Sequence, residues 1–151
     1  MGDEAFERAL EALSRKERTV GELVTWLAER GFERSQVSAT IERLVEAGAL
    51  DDARFARRFA EDKRELRGWG PERIGEALAA RGVEREQIEV ALAADDRSAQ
   101  LERAIDLLRG RGGDVRDELS RARALGYLAR RGYDTALAYD AVRGFERHRA
   151  A

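Results

Sequence analysis

Residues 27–32 read Leu27-Ala28-Glu29-Arg30-Gly31-Phe32, residues 78–83 read Leu78-Ala79-Ala80-Arg81-Gly82-Val83, and residues 128–133 read Leu128-Ala129-Arg130-Arg131-Gly132-Tyr133. The three glycines stand 51 and 50 residues apart. Around each, the same slots recur: Leu four before, Ala three before, Arg immediately before, and a bulky apolar residue immediately after. Val37, Ile88 and Ala138 follow six residues after the glycines, and Ile41, Leu92 and Val142 ten after. Fixed offsets filled three times by like residues mark an internal repeat.

The chemistry of the repeat is that of a helix closing and another opening. The Arg suits the negative end of a helix dipole, and the Gly takes the left-handed conformation that ends a helix without a Cβ clash. An acid follows at the start of the next helix, Glu33, Glu84 or Asp134. There its charge offsets the positive helix start. Apolar spacing of four continues in Val37, Ile41 and Leu44-Val45, and in Ile88 and Leu92.

Each unit also carries a preceding helix. The expected core stripes are Phe6, Leu10 and Leu13 in the first, Phe55 and Phe59 in the second, and Leu101, Ile105 and Leu108 in the third. Thr19-Val20-Gly21-Glu22 fits a capping box, Asp51-Asp52 a helix cap, and Gly70-Pro71 a glycine cap with proline at the first helical position. Gly110-Arg111-Gly112-Gly113 is expected to break the chain before a helix running to Arg131. The expected fold is all-α, three tandem three-helix bundles in an elongated, curved array, divided at residues 1–49, 50–94 and 95–151. Each bundle is too small for a large core, so neighbours should pack on one another.

Composition agrees and narrows the function. The 151 residues include 28 Lys+Arg and 30 Asp+Glu, for a net charge of -2, with 38% charged and 43% hydrophobic residues. Residues 1–50, 51–95 and 96–151 sum to -3, -2 and +3. With no Cys there is no disulfide framework, thiolate metal site or cysteine nucleophile. No run reaches the ~20 apolar residues of a membrane span, and the acidic Met1-Gly2-Asp3-Glu4 start carries no secretory signal. The expected address is cytoplasmic, with no membrane partner. His148, the single histidine, lies near the C-terminus and makes a poor catalytic centre. The Gly-rich stretch lacks the Gly-Lys-Ser/Thr of a phosphate loop, and adjacent acid pairs such as Asp51-Asp52 do not face one site on a helix. No catalytic residue, cofactor or metal is expected, and the chain is expected to be a non-enzymatic monomer.

The candidate partner-binding residues cluster in the second unit. Arg54, Arg57, Arg58, Lys63, Arg64 and Arg67 crowd the faces of a helix left free by Phe55 and Phe59, and Trp69 and Arg73 follow. Arg121, Arg123 and Arg130 form a second group in the basic last unit. These arginines are a solvated face or a contact for an acidic or phosphate-bearing partner. Trp69 is either a plug in the seam between units or an anchor for that partner. Glu61, Asp62 and Glu65 interrupt any pure nucleic-acid stripe. Residues 19–50 alone look like a helix-turn-helix DNA reader presenting Gln36, Ser38, Thr40 and Arg43, but no wing follows and the unit is acidic. A helical scaffold for some other protein is the remaining alternative.

The run Leu50-Asp51-Asp52-Ala53-Arg54-Phe55-Ala56, then Gly70-Pro71-Glu72-Arg73-Ile74 and Arg81-Gly82-Val83, resembles the bacterial regulatory RecX family. So do Glu22-Leu23 through Gly31-Phe32 and Tyr127 through Asp134, so the resemblance spans roughly residues 5–145. It implies three tandem three-helix repeats and a protein that binds the recombinase RecA or its DNA filament. Such proteins modulate RecA, usually as inhibitors of its ATPase, strand exchange and SOS coprotease activity. The family's fourth helix is often more uniformly basic than this one, so the resemblance implies a weak DNA contact at most.

Overall fold

In the computed structural model, which describes residues 2–150, the described residues form nine helices and no strand. They are α1 (Gly2–Arg15), α2 (Val20–Glu29), α3 (Arg34–Glu46), α4 (Asp52–Arg67), α5 (Pro71–Ala80), α6 (Arg85–Ala93), α7 (Arg97–Arg111), α8 (Glu118–Arg131) and α9 (Thr135–Ala150). Their ends follow from local chemistry. Thr19 and Glu22 make the reciprocal capping box of α2, Asp51 accepts from Arg54 N to cap α4, and Gly70 precedes Pro71 at the start of α5. The middle helices α2, α5 and α8 close alike. The N–H groups of Phe32, Val83 and Tyr133 reach back to the carbonyls of Leu27, Leu78 and Leu128, with Gly31, Gly82 and Gly132 at φ of +87°, +83° and +101°.

The cores are three separate clusters, one per helix triplet. Leu23, Leu27, Val37, Leu44 and Leu50 fill the first; Phe55, Ile74, Leu78, Val83 and Ile88 the second; Leu108, Leu128, Tyr133, Leu137 and Val142 the third. Two details differ from expectation. The inward stripe of α1 is Ala5, Ala9 and Ala12, while Leu10 is 42% exposed. Small side chains let α1 pack on α3 along this stripe, which rotates Leu10 outward and leaves Phe6 and Leu13 at the core's edge. The second detail concerns Gly110 and Arg111, which extend α7, so the break begins only at Gly112. Val115, in the loop that follows, is buried as part of the third core.

The units are joined by one seam used twice. In the first, the N-cap of α2 meets the C-terminal end of α5: Thr19 Oγ1 donates to the Arg81 carbonyl at 2.6 Å. At the second, the N-cap of α5 meets the C-terminal end of α8: Gly70 N donates to the Arg131 carbonyl at 2.7 Å and Glu72 N to that of Gly132 at 3.0 Å. Both seams bring glycine against glycine. A Cβ on Gly21 would lie 3.3 Å from the Gly82 carbonyl oxygen, and one on Gly70 would lie 2.5 Å from that of Gly132. Gly82 and Gly132 therefore close a helix and also let the preceding unit's backbone approach. Gly31, with no preceding unit, has open space around its Cβ position.

At the first seam, Arg81 lays its guanidinium on the Glu22 carboxylate, Nη2–Oε1 2.9 Å and Nε–Oε2 3.1 Å. Burial pushes the Glu22 carboxyl upward, but the Arg81 hydrogen bond and charge, the Thr19 N–H and Lys16 outweigh it and hold the group below its ordinary 4.5. A carboxylate with a depressed folded pKa stabilises above its unfolded pKa, and that contribution is lost as pH falls through the folded value. The stability difference between wild type and Glu22→Gln, measured by thermal melts, is therefore expected at neutral pH and should shrink below about pH 4.5. A difference that stays constant down to acid pH would contradict this role.

Candidate functional site

The second seam opens into a cleft of about 590 Å³. The end of α4 and the linker after it supply Lys63, Arg67 and Trp69, α5 supplies Arg73, and the last turns of α8 supply Tyr127, Arg130 and Arg131. No acid lines it. Cations and rings are interleaved: the Arg73 guanidinium lies 4.2 Å and Lys63 Nζ 4.8 Å from the Trp69 ring centroid, and the Arg131 guanidinium 5.1 Å from that of Tyr127. Arg73 Nη1 donates to the Arg130 carbonyl at 3.1 Å and Arg131 Nη1 to that of Arg67 at 2.7 Å, so each cation is held by the other unit's backbone. None of the five cations has a carboxylate within 4.0 Å among the described residues.

Trp69 both plugs and presents. It packs half-buried on the second core, edge-on to Phe59 with centroids 6.4 Å apart, and still lines the cleft.

Of the residues singled out in the sequence, Lys63, Arg67, Trp69, Arg73 and Arg130 come together here. The others do not. Arg64 turns inward: its Nη2 donates to the Ala91 carbonyl at 2.9 Å, and its buried Nε, without a hydrogen-bond partner, lies 3.6 Å from Asp95 Oδ2. It follows Ala56 and Ala60 at spacings of four, both fully buried, and so belongs to the core face of α4. Arg54 is spent on the Gly48 carbonyl at the end of α3. Arg57 is exposed on α4. Arg58 faces Glu17, 3.9 Å away, in a neighbouring cleft that also holds Asp62. Arg121 pairs with Glu146 at 2.7 Å, and Arg123 is exposed near Asp117 at the opposite end of α8 from the cleft.

Sequence reasoning missed Tyr127 and assigned Arg131 to helix capping alone. The signal was present: Arg131 fills the slot of Arg81, and Tyr127 precedes it by one helical turn.

Behind the cleft is a buried polar network. Asp95 takes both ends of the Arg103 guanidinium, at 3.0 and 2.7 Å. Arg103 Nε donates to the Tyr133 hydroxyl at 2.8 Å, and that hydroxyl donates to the Gly68 carbonyl at 2.8 Å. Burial pushes the Tyr133 hydroxyl above its ordinary range although Arg103 opposes it, so it stays a neutral donor. This network locks the linker ahead of Trp69 to the third unit.

The helix-turn-helix surface is incomplete. Thr40 is buried, Gln36 accepts from the Glu33 N–H in the cap of α3, and Arg43 lies over the Phe6 ring. A reading helix needs these side chains free in a groove.

The first three-helix domain of RecX matches residues 5–44 and the second matches residues 51–92. The regulatory protein RecX of Thermus thermophilus is 36% identical over 143 residues, covering 95% of this chain and 93% of the relative. The chain belongs to the RecX family. The RecX of Mycolicibacterium vanbaalenii is 33% identical, covering 93% of this chain and 82% of its own. Among solved structures, RecX from Lactobacillus salivarius superposes with a TM-score of 0.87 at 19% identity, covering 96% of both chains, and so shares the fold. RecX proteins are a family of regulators, and no helix among the described residues is long and apolar enough to cross a membrane.

Proposed function

We propose that this chain binds the recombinase RecA or its nucleoprotein filament. There it acts as an inhibitor of RecA's ATPase, recombinase and coprotease activities and so regulates DNA repair and the SOS response. The observation that carries this reading is the extent of the match. The regulatory protein RecX of Thermus thermophilus aligns along nearly the whole of both chains, which supports assigning the role to the three-unit body as a whole. A row of small helical units offers several faces to a repeating partner, as solenoids do. The second-seam cleft, with Lys63, Arg67, Trp69, Arg73 and Arg130, is the face we assign to the contact; cationic forks and a half-exposed Trp are the groups that anchor protein interfaces. Arg54, Arg57, Arg58, Arg121 and Arg123 lie outside that cleft. The chain works by occupancy, without catalysis, cofactor or metal, from the cytoplasm and as a monomer.

The test is binding. Fluorescently labelled protein is mixed with preformed RecA filaments on single-stranded DNA and, separately, with the same DNA alone, and both are sedimented. Co-sedimentation with the filament well above that with bare DNA is expected. Equal recovery with both would replace a RecA reader with a DNA binder, and recovery with neither would overturn the proposal.

A further inference from the structure

The two seams are built on the same plan, and one residue separates them. Thr19 and Gly70 are the N-caps of α2 and α5, and Glu22 and Arg73 are the third residues of those helices. Across each seam stands the closing arginine of the next unit, Arg81 or Arg131. In the first seam the third position is a glutamate, and its carboxylate satisfies Arg81 through two hydrogen bonds. In the second the same position is an arginine, so Arg131 faces Arg73, Arg130 and Arg67 with no carboxylate among them.

We infer that the second-seam cleft docks an acidic peptide segment of a partner protein, which supplies from outside the carboxylate that Glu22 supplies from within at the first seam. Two observations favour a carboxylate peptide over a nucleic-acid strand. First, the cationic surface is a patch rather than a track: the neighbouring clefts contain Glu17 and Asp62 on one side and Glu65 and Asp106 on the other. A phosphate backbone running past the cleft would meet these acids. Second, the Trp69 ring already carries Arg73 and Lys63. A base would have to displace them to stack. Held against the ring, Arg73 instead keeps N–H groups for an incoming oxyanion, the geometry in which Arg pairs with carboxylates in two-pronged fashion.

The inference rests on the reading of this chain as a protein-binding regulator, and its test is separable from that reading. Trp26→Phe leaves Trp69 as the only tryptophan, and its emission reports on the cleft. In that background a capped oligo-glutamate peptide and a dT oligonucleotide of equal charge are titrated in parallel at low ionic strength. The peptide is expected to change Trp69 emission saturably. Arg73→Glu, which recreates the first seam's arrangement and gives Arg131 an internal partner, should keep the helical signal and weaken peptide binding at least about tenfold. Arg67→Glu, whose side chain is exposed, is the second variant should Arg73→Glu fold poorly. Peptide binding that is absent, or unchanged in the folded variants, would overturn the inference. Tighter oligonucleotide binding abolished by the same variants would overturn it in favour of a nucleic-acid site. On RecA filaments, inhibition by wild type that persists in Arg73→Glu would sink the cleft assignment alone. Peptide binding without any filament effect would instead sink the proposed function and leave the cleft's chemistry standing.

Discussion

Gly132→Ala is expected to destabilise the protein by about 3 kcal/mol or more, against about 1 kcal/mol for Gly31→Ala. Both glycines end a middle helix in the left-handed region, at φ of +101° and +87°. A Cβ there costs roughly 1–2 kcal/mol whatever surrounds it. At Gly31 nothing among the described residues lies within 4 Å of the added atom. At Gly132 it would fall 2.5 Å from Arg73 Cβ, 2.6 Å from Arg73 N and 3.0 Å from the Gly70 carbonyl oxygen. Those neighbours are backbone or nearly so, and they yield only if the seam opens. Opening it strains the Gly70–Arg131 and Glu72–Gly132 hydrogen bonds and loosens the cleft. At about 2–4 °C per kcal/mol for a chain of this size, thermal melts should drop by about 10 °C for Gly132→Ala and by only about 3 °C for Gly31→Ala. Equal drops would mean that the glycine only terminates a helix.

The second large effect is at Asp95. Its side chain is 3% exposed and holds Arg103 by two hydrogen bonds, with Arg64 3.6 Å away. Removing one member of a buried ion group leaves the other charges unpaired in a poor solvent, at a cost of about 3–5 kcal/mol. Asp95→Ala should therefore cost that much and also free the Gly68–Trp69 linker, because Arg103 orients the Tyr133 hydroxyl that grips Gly68. Chemical denaturation measures the loss, and Trp69 emission in the Trp26→Phe background reports the loosened linker. The comparison is Asp140→Ala, which breaks the exposed Arg97 pair and should change stability far less. Similar losses in the two variants would contradict a structural role for the buried network.

What could be read in the sequence was whatever is written over a few adjacent residues. The glycine stops, the Thr19–Glu22 box, the Asp51 cap and the Gly70-Pro71 start are all local, and each stands in the structure where the residues place it. The inward stripe of α1 was harder to see, because alanine looks the same on either face and Leu10 drew the eye to the wrong one. The seams were invisible for a different reason. Thr19 and Arg81 are 62 residues apart, and nothing within either neighbourhood announces the other. The same holds for the cleft. Counting arginines along α4 placed Lys63 and Arg67 with Arg64, but the 3.6-residue turn sends Arg64 to the core side beside Asp95. The exchange of Glu22 for Arg73 was present in the repeat all along. It acquires meaning only once Arg81 and Arg131 are seen across their seams.

The proposed restraint of RecA through its filament is read in ATP hydrolysis. Preformed RecA filaments on single-stranded DNA are titrated with the protein, using the recombinase from the same organism, and the steady-state rate is followed. A dose-dependent fall in hydrolysis that is complete near stoichiometry with filament subunits or below it is the expected result. An unchanged rate at molar excess would contradict the account.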